Sequence, residues 1–270
     1  MLKLTSRHNK KVKYLKSLQQ KKFRDEYGKF LIEGVRSVEE ALNARCSIDV
    51  LIFASEVLGN LRAARLVDEA AAKGITQWLV TRDVLAYITE TKTPQGVAAV
   101  VHKPEYSLSD IKCSPSRNLI LVIDRVQDPG NLGTIIRAAD AFSAAGIILI
   151  KGTTDMYAPK VVRATVGSIF HLPIVNNVLA ADLLQFSREH RYPVVVLDPR
   201  GEIPVSALNF NRPVVAVMGS EAQGCSTVLR EVADHRAFIP ISGKAESLNV
   251  AVAASIVLYE SIRTSKAPCV

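Results

Sequence analysis

The strongest constraint on this chain is a set of short, continuous apolar runs that each stop at a polar or glycine-bearing stretch. Val214-Val215-Ala216-Val217-Met218 ends at Gly219-Ser220-Glu221-Ala222-Gln223-Gly224. Similar runs occupy 119–123, 146–150, 194–197 and 237–239. A run without polar alternation reads as a strand covered on both faces. Helical patterns at 130–144, 159–169, 179–190 and from Ser247 to about 262 separate these strands. Buried strands alternating with helices predict an α/β fold with a mainly parallel sheet.

An earlier, smaller α/β unit precedes this one. Strands are expected at 29–32, 48–53, 78–80 and 97–101, with helices after Gly34, at 58–72 and at 83–88. Between the two units, Pro104, Pro115, Ser107, Ser109, Ser114 and Ser116 mark residues 104–117 as a linker. The expected organisation is therefore 1–103, a linker at 104–117, and 118–270.

The formal net charge is +8, and its placement matters more than its size. Residues 1–24 hold nine Lys or Arg and no acid, which leaves 25 basic against 26 acidic residues in the rest. Val12, Leu15 and Leu18 recur at helical spacing among lysines, so the patch reads as a helix with one apolar stripe and a basic face. Arg7, Lys10, Lys11 and Lys13 are the expected nucleic-acid contacts, since a local basic patch usually meets phosphate. A targeting segment is the alternative, but those favour Arg and Ser, and this stretch is mostly Lys. No apolar run approaches the roughly 18 residues of a membrane span. Cys46, Cys113, Cys225 and Cys269 show no metal or redox spacing and suit a reducing, cytoplasmic setting.

Several chemistries lose their footing on residue identity alone. Gly219-x-x-x-x-Gly224-Cys225-Ser226 nearly spells a phosphate-binding loop, but Cys225 stands where the lysine belongs. No Gly-x-Gly-x-x-Gly, Gly-x-Ser-x-Gly or His-Glu-x-x-His occurs, and no metal site is expected. What remains is polar residues at element ends: Asn131, Arg137, Glu221, Ser247 and Asn249. Taken singly, Asn131 and Ser247 read as helix caps and Arg137 as a surface ion-pair partner.

Together they fall within three ordered motifs. These are Pro129-Gly130-Asn131-Leu132-Gly133-Thr134-Ile135-Ile136-Arg137-Ala138-Ala139, then Met218-Gly219-Ser220-Glu221-Ala222-Gln223-Gly224. The third runs Ile239-Pro240-Ile241-Ser242-Gly243-Lys244-Ala245-Glu246-Ser247-Leu248-Asn249-Val250-Ala251-Val252-Ala253. This series resembles the SpoU (TrmH-like) RNA 2′-O-ribose methyltransferases. Phe30-Leu31-Ile32-Glu33-Gly34 and Thr93-Pro94-Gln95-Gly96-Val97 resemble that family's N-terminal RNA substrate-binding domain. Ala222 departs from a usual glycine, and Ala139-Asp140 from a commoner pairing.

The resemblance implies an α/β-knot (SPOUT) methyltransferase domain with a deep trefoil knot, acting as a homodimer. It implies S-adenosyl-L-methionine as methyl donor, with Gly219, Ile239 and Leu248 around the cofactor. Arg137, Asn131, Glu221, Ser247 and Asn249 fall on the catalytic and target-ribose positions. The expected substrate is structured RNA, foremost ribosomal RNA. The alternatives are a transfer-RNA ribose methyltransferase and a catalytically silent RNA-binding protein of the same fold.

Overall fold

The structure is a computed structural model that describes residues 2–91 and 93–264; Cys269 lies outside them. Packing divides the chain into two units, residues 1–104 with 157–171, and residues 105–156 with 172–270. Among the described residues no helix is long and apolar enough to cross a membrane.

The first unit contains β1 (Leu2–Leu4), α1 (Lys10–Ser17), α2 (Lys21–Tyr27), β2 (Lys29–Glu33), α3 (Val35–Asn43) and β3 (Ile48–Ala54). It continues with α4 (Leu61–Ala72), β4 (Thr76–Val80), α5 (Arg82–Thr89) and β5 (Val97–His102). The sheet order is β1-β4-β3-β5-β2, with β2 and β3 antiparallel to β5 and the remaining pairs parallel. The expected stripe on α1 is its buried side: Val12, Leu15 and Leu18 are all at most 1% exposed. Asn9 opens that helix by accepting from the Lys11 amide at 2.8 Å.

The sequence pattern predicts one helix over 58–72, but the structure makes a 3₁₀ turn at Ser55–Gly59 before α4. Asn60 interrupts, because its side chain caps α4 through the Arg62 and Ala63 amides. Strand β1 and helix α2 carry too few residues to show a period, and sequence patterning does not predict them.

The second unit contains β6 (Leu119–Asp124), α6 (Pro129–Ala141) and β7 (Gly146–Ile150). Helix α7 (Pro159–Thr165) follows in the chain but packs with the first unit, where Phe30 meets Tyr157 at 4.6 Å and Phe170 at 6.2 Å between ring centres. The helix expected over 159–169 stops at Thr165, because Val166 and Gly167 take positive φ. Then come β8 (Ile174–Val178), α8 (Ala180–His190), β9 (Val194–Leu197), β10 (Ile203–Pro204), β11 (Val214–Gly219), α9 (Thr227–Glu231), β12 (His235–Phe238) and α10 (Val250–Thr264).

This sheet has the order β10-β12-β9-β11-β6-β7-β8, and every neighbouring pair is parallel. All five residues at 119–123 are at most 2% exposed, as a strand covered on both faces requires. Truncating one of them to alanine costs on the order of 2–5 kcal/mol. Strand β11 inserts between β6 and β9, so the chain runs outward from β6 in one direction and returns on its other side. Ligands of open parallel sheets bind beyond the carboxyl ends of the strands at such a reversal.

Candidate active site

Strands β12, β9 and β11 lie side by side, and the residues just past their carboxyl ends enclose a cleft of about 810 Å³. The loop after β11 contributes Gly219, Ser220 and Glu221. The loop after β9 contributes Leu197, Asp198, Pro199 and Arg200. The segment after β12 contributes Ile239, Ile241, Glu246, Ser247 and Leu248. All three positions expected to surround a cofactor therefore line one cavity.

The first loop is closed by its own main chain. The Ser220 amide donates to the Gly224 carbonyl at 3.1 Å, and the Gly224 amide to the Ser220 carbonyl at 2.9 Å. Gly224 has φ +65, which a side chain resists. A Cβ on Gly219 would lie 2.1 Å from the Gly224 carbonyl carbon and 2.2 Å from the Cys225 nitrogen. No side chain fits there, and the loop shape follows from that absence. Ala222 is not among the positive-φ residues, so alanine in place of the usual glycine costs no backbone strain here.

A buried carboxylate anchors the same loop from β6. The register pairs Asp124 with Gly219. Asp124 is fully buried and accepts from the Ser226 amide at 2.6 Å and from Arg125 Nε at 3.0 Å. Cys225 beside it donates weakly to the Val217 and Leu197 carbonyls. Burial first, then the charges of Asp124 and Asp198, push the Cys225 thiol up to about 12. Cys225 is thus a neutral packing group, with no thiolate to act as nucleophile.

The catalytic candidates form a connected chain in three of five cases. Asn131 Nδ2 donates to Glu221 Oε1 at 2.6 Å, and Asn249 Nδ2 donates to Asn131 Oδ1 at 3.0 Å. Asn249 Oδ1 in turn accepts from the Ala251 and Val252 amides at 2.9 and 3.3 Å. So the cap of α10 is Asn249, and the helix expected from Ser247 starts three residues later. Likewise Asp128, not Asn131, caps α6, accepting the Asn131 amide at 2.8 Å. Asn131 is thereby released for the network with Glu221.

Ser247 lies on the cleft wall next to Leu248. Arg137 is exposed on α6, six residues beyond Asn131, and makes no hydrogen bond or ion pair among the described residues. It is not among the residues lining the cleft, and its exposed guanidinium is available to an incoming anion as a bidentate clamp.

Sequence reasoning missed the residues after β9 and the anchor at Asp124. Asp198 accepts from the Arg200 amide at 2.9 Å and faces Arg230 at 3.8 Å. Its signal was present: Asp198-Pro199 follows an apolar strand just as Gly219 does.

In the first unit, Lys10, Lys11 and Lys13 are exposed on or at the start of α1 and have no carboxylate partner among the described residues. Arg7 is engaged differently. It pairs through two bonds with Asp83 and lies 5.2 Å from the Tyr87 ring centre.

Residues 118–259 match the profile of the SpoU rRNA Methylase family, and residues 9–99 match the MRM3-like substrate binding domain. The 23S rRNA (guanosine(2553)-2′-O)-methyltransferase RlmP of Bacillus subtilis (strain 168) is 36% identical over 263 residues, spanning 96% of this chain and 98% of that one. The 23S rRNA (uridine(2479)-2′-O)-methyltransferase of Streptomyces viridochromogenes is 32% identical over 268 residues, spanning 96% and 91%. The solved structure of an AdoMet-bound rRNA methyltransferase from Sinorhizobium meliloti aligns with a TM-score of 0.87 at 35% identity, covering 97% of both chains.

Proposed function

Because the chain belongs to the SpoU rRNA methylase family, we propose that it transfers a methyl group from S-adenosylmethionine to a ribose 2′-hydroxyl of ribosomal RNA. The observation that carries this reading is the strand-end cleft. Its volume of about 810 Å³ lies in the range of small-molecule sites. Its wall combines apolar surface from Met218, Phe238, Ile239, Leu248 and Val250 with the carboxylates Asp198, Glu221 and Glu246. A flat adenine suits the apolar wall, and a ribose and an ammonium suit the carboxylates. Gly219 itself lines the cleft, so its main chain borders the ligand.

When bound, the cofactor supplies a methyl group already activated on a sulfonium centre. The residues of the chain then have two tasks, placing the acceptor oxygen and handling its proton. Placement is worth most, since reacting atoms held at about 3–3.5 Å remove much of the entropic barrier. Glu221 and Asn249 fix the Asn131 amide from both sides, so its orientation toward a ribose is set before substrate arrives. The Arg137 guanidinium holds an RNA phosphate and stabilises the developing alkoxide, and the hydroxyl proton passes to solvent water as the methyl–oxygen bond forms and the methyl–sulfur bond breaks. Ser247 adds a hydroxyl at the mouth of the cleft.

Two further features of the family reading belong to this proposal. One is a trefoil knot in the second unit, taken from the family resemblance. The other is a homodimer. Val252 and Tyr259 on α10 are 49% and 53% exposed, and Tyr259 meets Phe142 edge-on at 6.3 Å. These give an apolar surface suited to a second copy. Such a substrate puts the site of action in the cytoplasm.

The test is to map ribose methylation in total RNA with and without the gene, and to repeat the transfer with purified chain and labelled donor. One ribosomal ribose is expected to lose its methyl group in the deletion and regain it in vitro. Label on a base, on protein, or on transfer RNA alone would overturn the reading.

A further inference from the structure

The basic patch of the first unit contains more than charge. Phe23 and Tyr27 on α2 stack at 6.1 Å between centres with their planes 20° apart, and Tyr14 on α1 follows at 5.3 Å from Tyr27. Tyr14 and Tyr27 then border a shallow depression of about 500 Å³ with Trp78 of β4, Lys10, Lys11 and Lys29. Lys11 Nζ sits 4.8 Å from the Trp78 ring centre, and Lys22 Nζ 5.7 Å from that of Phe23. Aromatic rings and ammonium groups therefore alternate along one surface.

Trp78 and Tyr14 rest on the core of this unit, but core packing does not account for Tyr27. Tyr27 is 39% exposed, although it lies in an aromatic cluster that a fold would normally bury. The nearby acids are mostly neutralised. Asp49 is held by Lys29 at 2.9 Å, and Asp25 by Lys21 and Lys103 at 2.6 Å each. Among the described residues Glu26 has no lysine partner, against Lys10, Lys11, Lys13 and Lys22 with no carboxylate partner. The surface thus carries uncompensated positive charge around the exposed Tyr27 ring.

We infer that this depression is a stacking subsite for an unpaired RNA nucleotide, with Tyr27 and Tyr14 receiving the base and Lys10 and Lys11 its flanking phosphates. The inference rests on the proposed RNA substrate and adds what the first unit selects: a single-stranded or looped segment rather than a duplex. Duplex bases are stacked on each other and present no free ring face, whereas splayed bases stack on aromatic side chains with little regard to sequence. The count of aromatic residues in this unit is low, but the fold gathers four of them in one place.

The chain has a single tryptophan, so Trp78 emission reports occupancy of this site directly. The experiment titrates the full chain with a 12-nucleotide single-stranded RNA and with the same sequence as a duplex. Only the single strand is expected to change Trp78 emission strongly. Tyr27→Ala is expected to weaken single-strand binding about five- to a hundredfold and raise KM for ribosomal RNA, while Tyr27→Phe restores both. Because Tyr27 is exposed, its loss opens no core, and an unchanged circular dichroism spectrum and urea melt of the Ala variant check the fold. Equal binding of duplex and single strand, or Tyr27→Ala binding within twofold of wild type, would overturn the subsite. If the wild type transfers methyl to ribosomal RNA while Tyr27→Ala binds normally, the subsite is wrong and the proposed substrate stands. If it transfers none but Tyr27→Ala still loses the oligonucleotide, the substrate is wrong and the subsite stands.

Discussion

The strand-end cleft of the second unit and the basic surface of the first solve opposite problems. In the cleft, shape comes from the main chain: Ser220 and Gly224 close a loop on itself, and Asp124 ties the next residues down from beneath. On the basic surface, shape comes from the ends of side chains, with lysine tips over rings and free amines in solvent. A main-chain site tolerates almost no substitution where an atom is missing by design. A side-chain surface loses affinity in steps, one charge or ring at a time. The contrast suits a cofactor that is the same in every turnover and an RNA that must be gripped loosely and released.

The sharpest way to break this contrast is Arg137→Ala. If the cleft alone holds the cofactor and Arg137 handles only the acceptor, transfer falls about 100- to 1,000-fold while cofactor affinity is unchanged. Calorimetry with S-adenosylmethionine beside single-turnover kinetics checks both. Parallel loss of affinity and rate would show that Arg137 supports the cleft itself. Gly219→Ala comes next and tests the main-chain half. A Cβ at 2.1 Å from backbone has nowhere to go, so the loop must open. We expect about 1–3 kcal/mol lower stability and cofactor affinity down at least about tenfold. Normal affinity in a folded variant would show that the loop is not the cofactor's seat.

The third prediction concerns the charged surface. Removing residues 1–24 is too blunt a probe, because Val12, Leu15 and Leu18 are core residues of the first unit. Lys10→Gln, Lys11→Gln and Lys13→Gln together remove charge and leave the apolar stripe in place. Each phosphate contact contributes about 0.7–0.9 to the salt slope, so the triple variant should flatten it by about two to three. An unchanged slope would place the RNA path elsewhere. Arg7 is left out because its pairing with Asp83 already spends its charge.

How much of this was readable beforehand divides along the same line. Continuous apolar runs and their end loops marked the strand ends, the motif resemblance named Gly219, Ile239 and Leu248 there, and the structure has all three lining one cleft. The same logic reached β9 but was not carried to Asp198-Pro199. The bond from Asn249 to Asn131 joins residues 118 positions apart, and no local signal encodes it. Cap identities failed by two or three residues at both helices because Asn131 and Ser247 have competent side chains. Only the geometry shows that Asp128 and Asn249 make the bonds. Nothing in residues 157–171 distinguishes them from their chain neighbours, yet they pack with the N-terminal unit. A helix pattern states that one face is buried and leaves open which unit buries it.

The smallest expected effect tests whether the first unit also holds a polar group by its main chain. Glu33, at the end of β2, accepts from Thr91 Oγ1 at 3.0 Å and from the Gln95 amide at 3.3 Å, while its Oε2 is buried without a partner. Burial raises its pKa above the ordinary value of 4.5, outweighing those two bonds and the charge of Arg163. A carboxyl whose folded pKa exceeds its unfolded one binds more protons folded than unfolded between the two values. Stability therefore falls as pH rises through that window and stays lower above it. Below the unfolded pKa both states are protonated and the penalty vanishes. Glu33→Gln keeps an oxygen for Thr91 and Gln95 but has no charge to bury. Urea melts at pH 4 and pH 7 should show the variant gaining on the wild type as pH rises. A difference that is the same at both pH values would mean that the Glu33 charge is compensated in the fold. In that case the first unit would anchor this loop as firmly as Asp124 anchors the cleft.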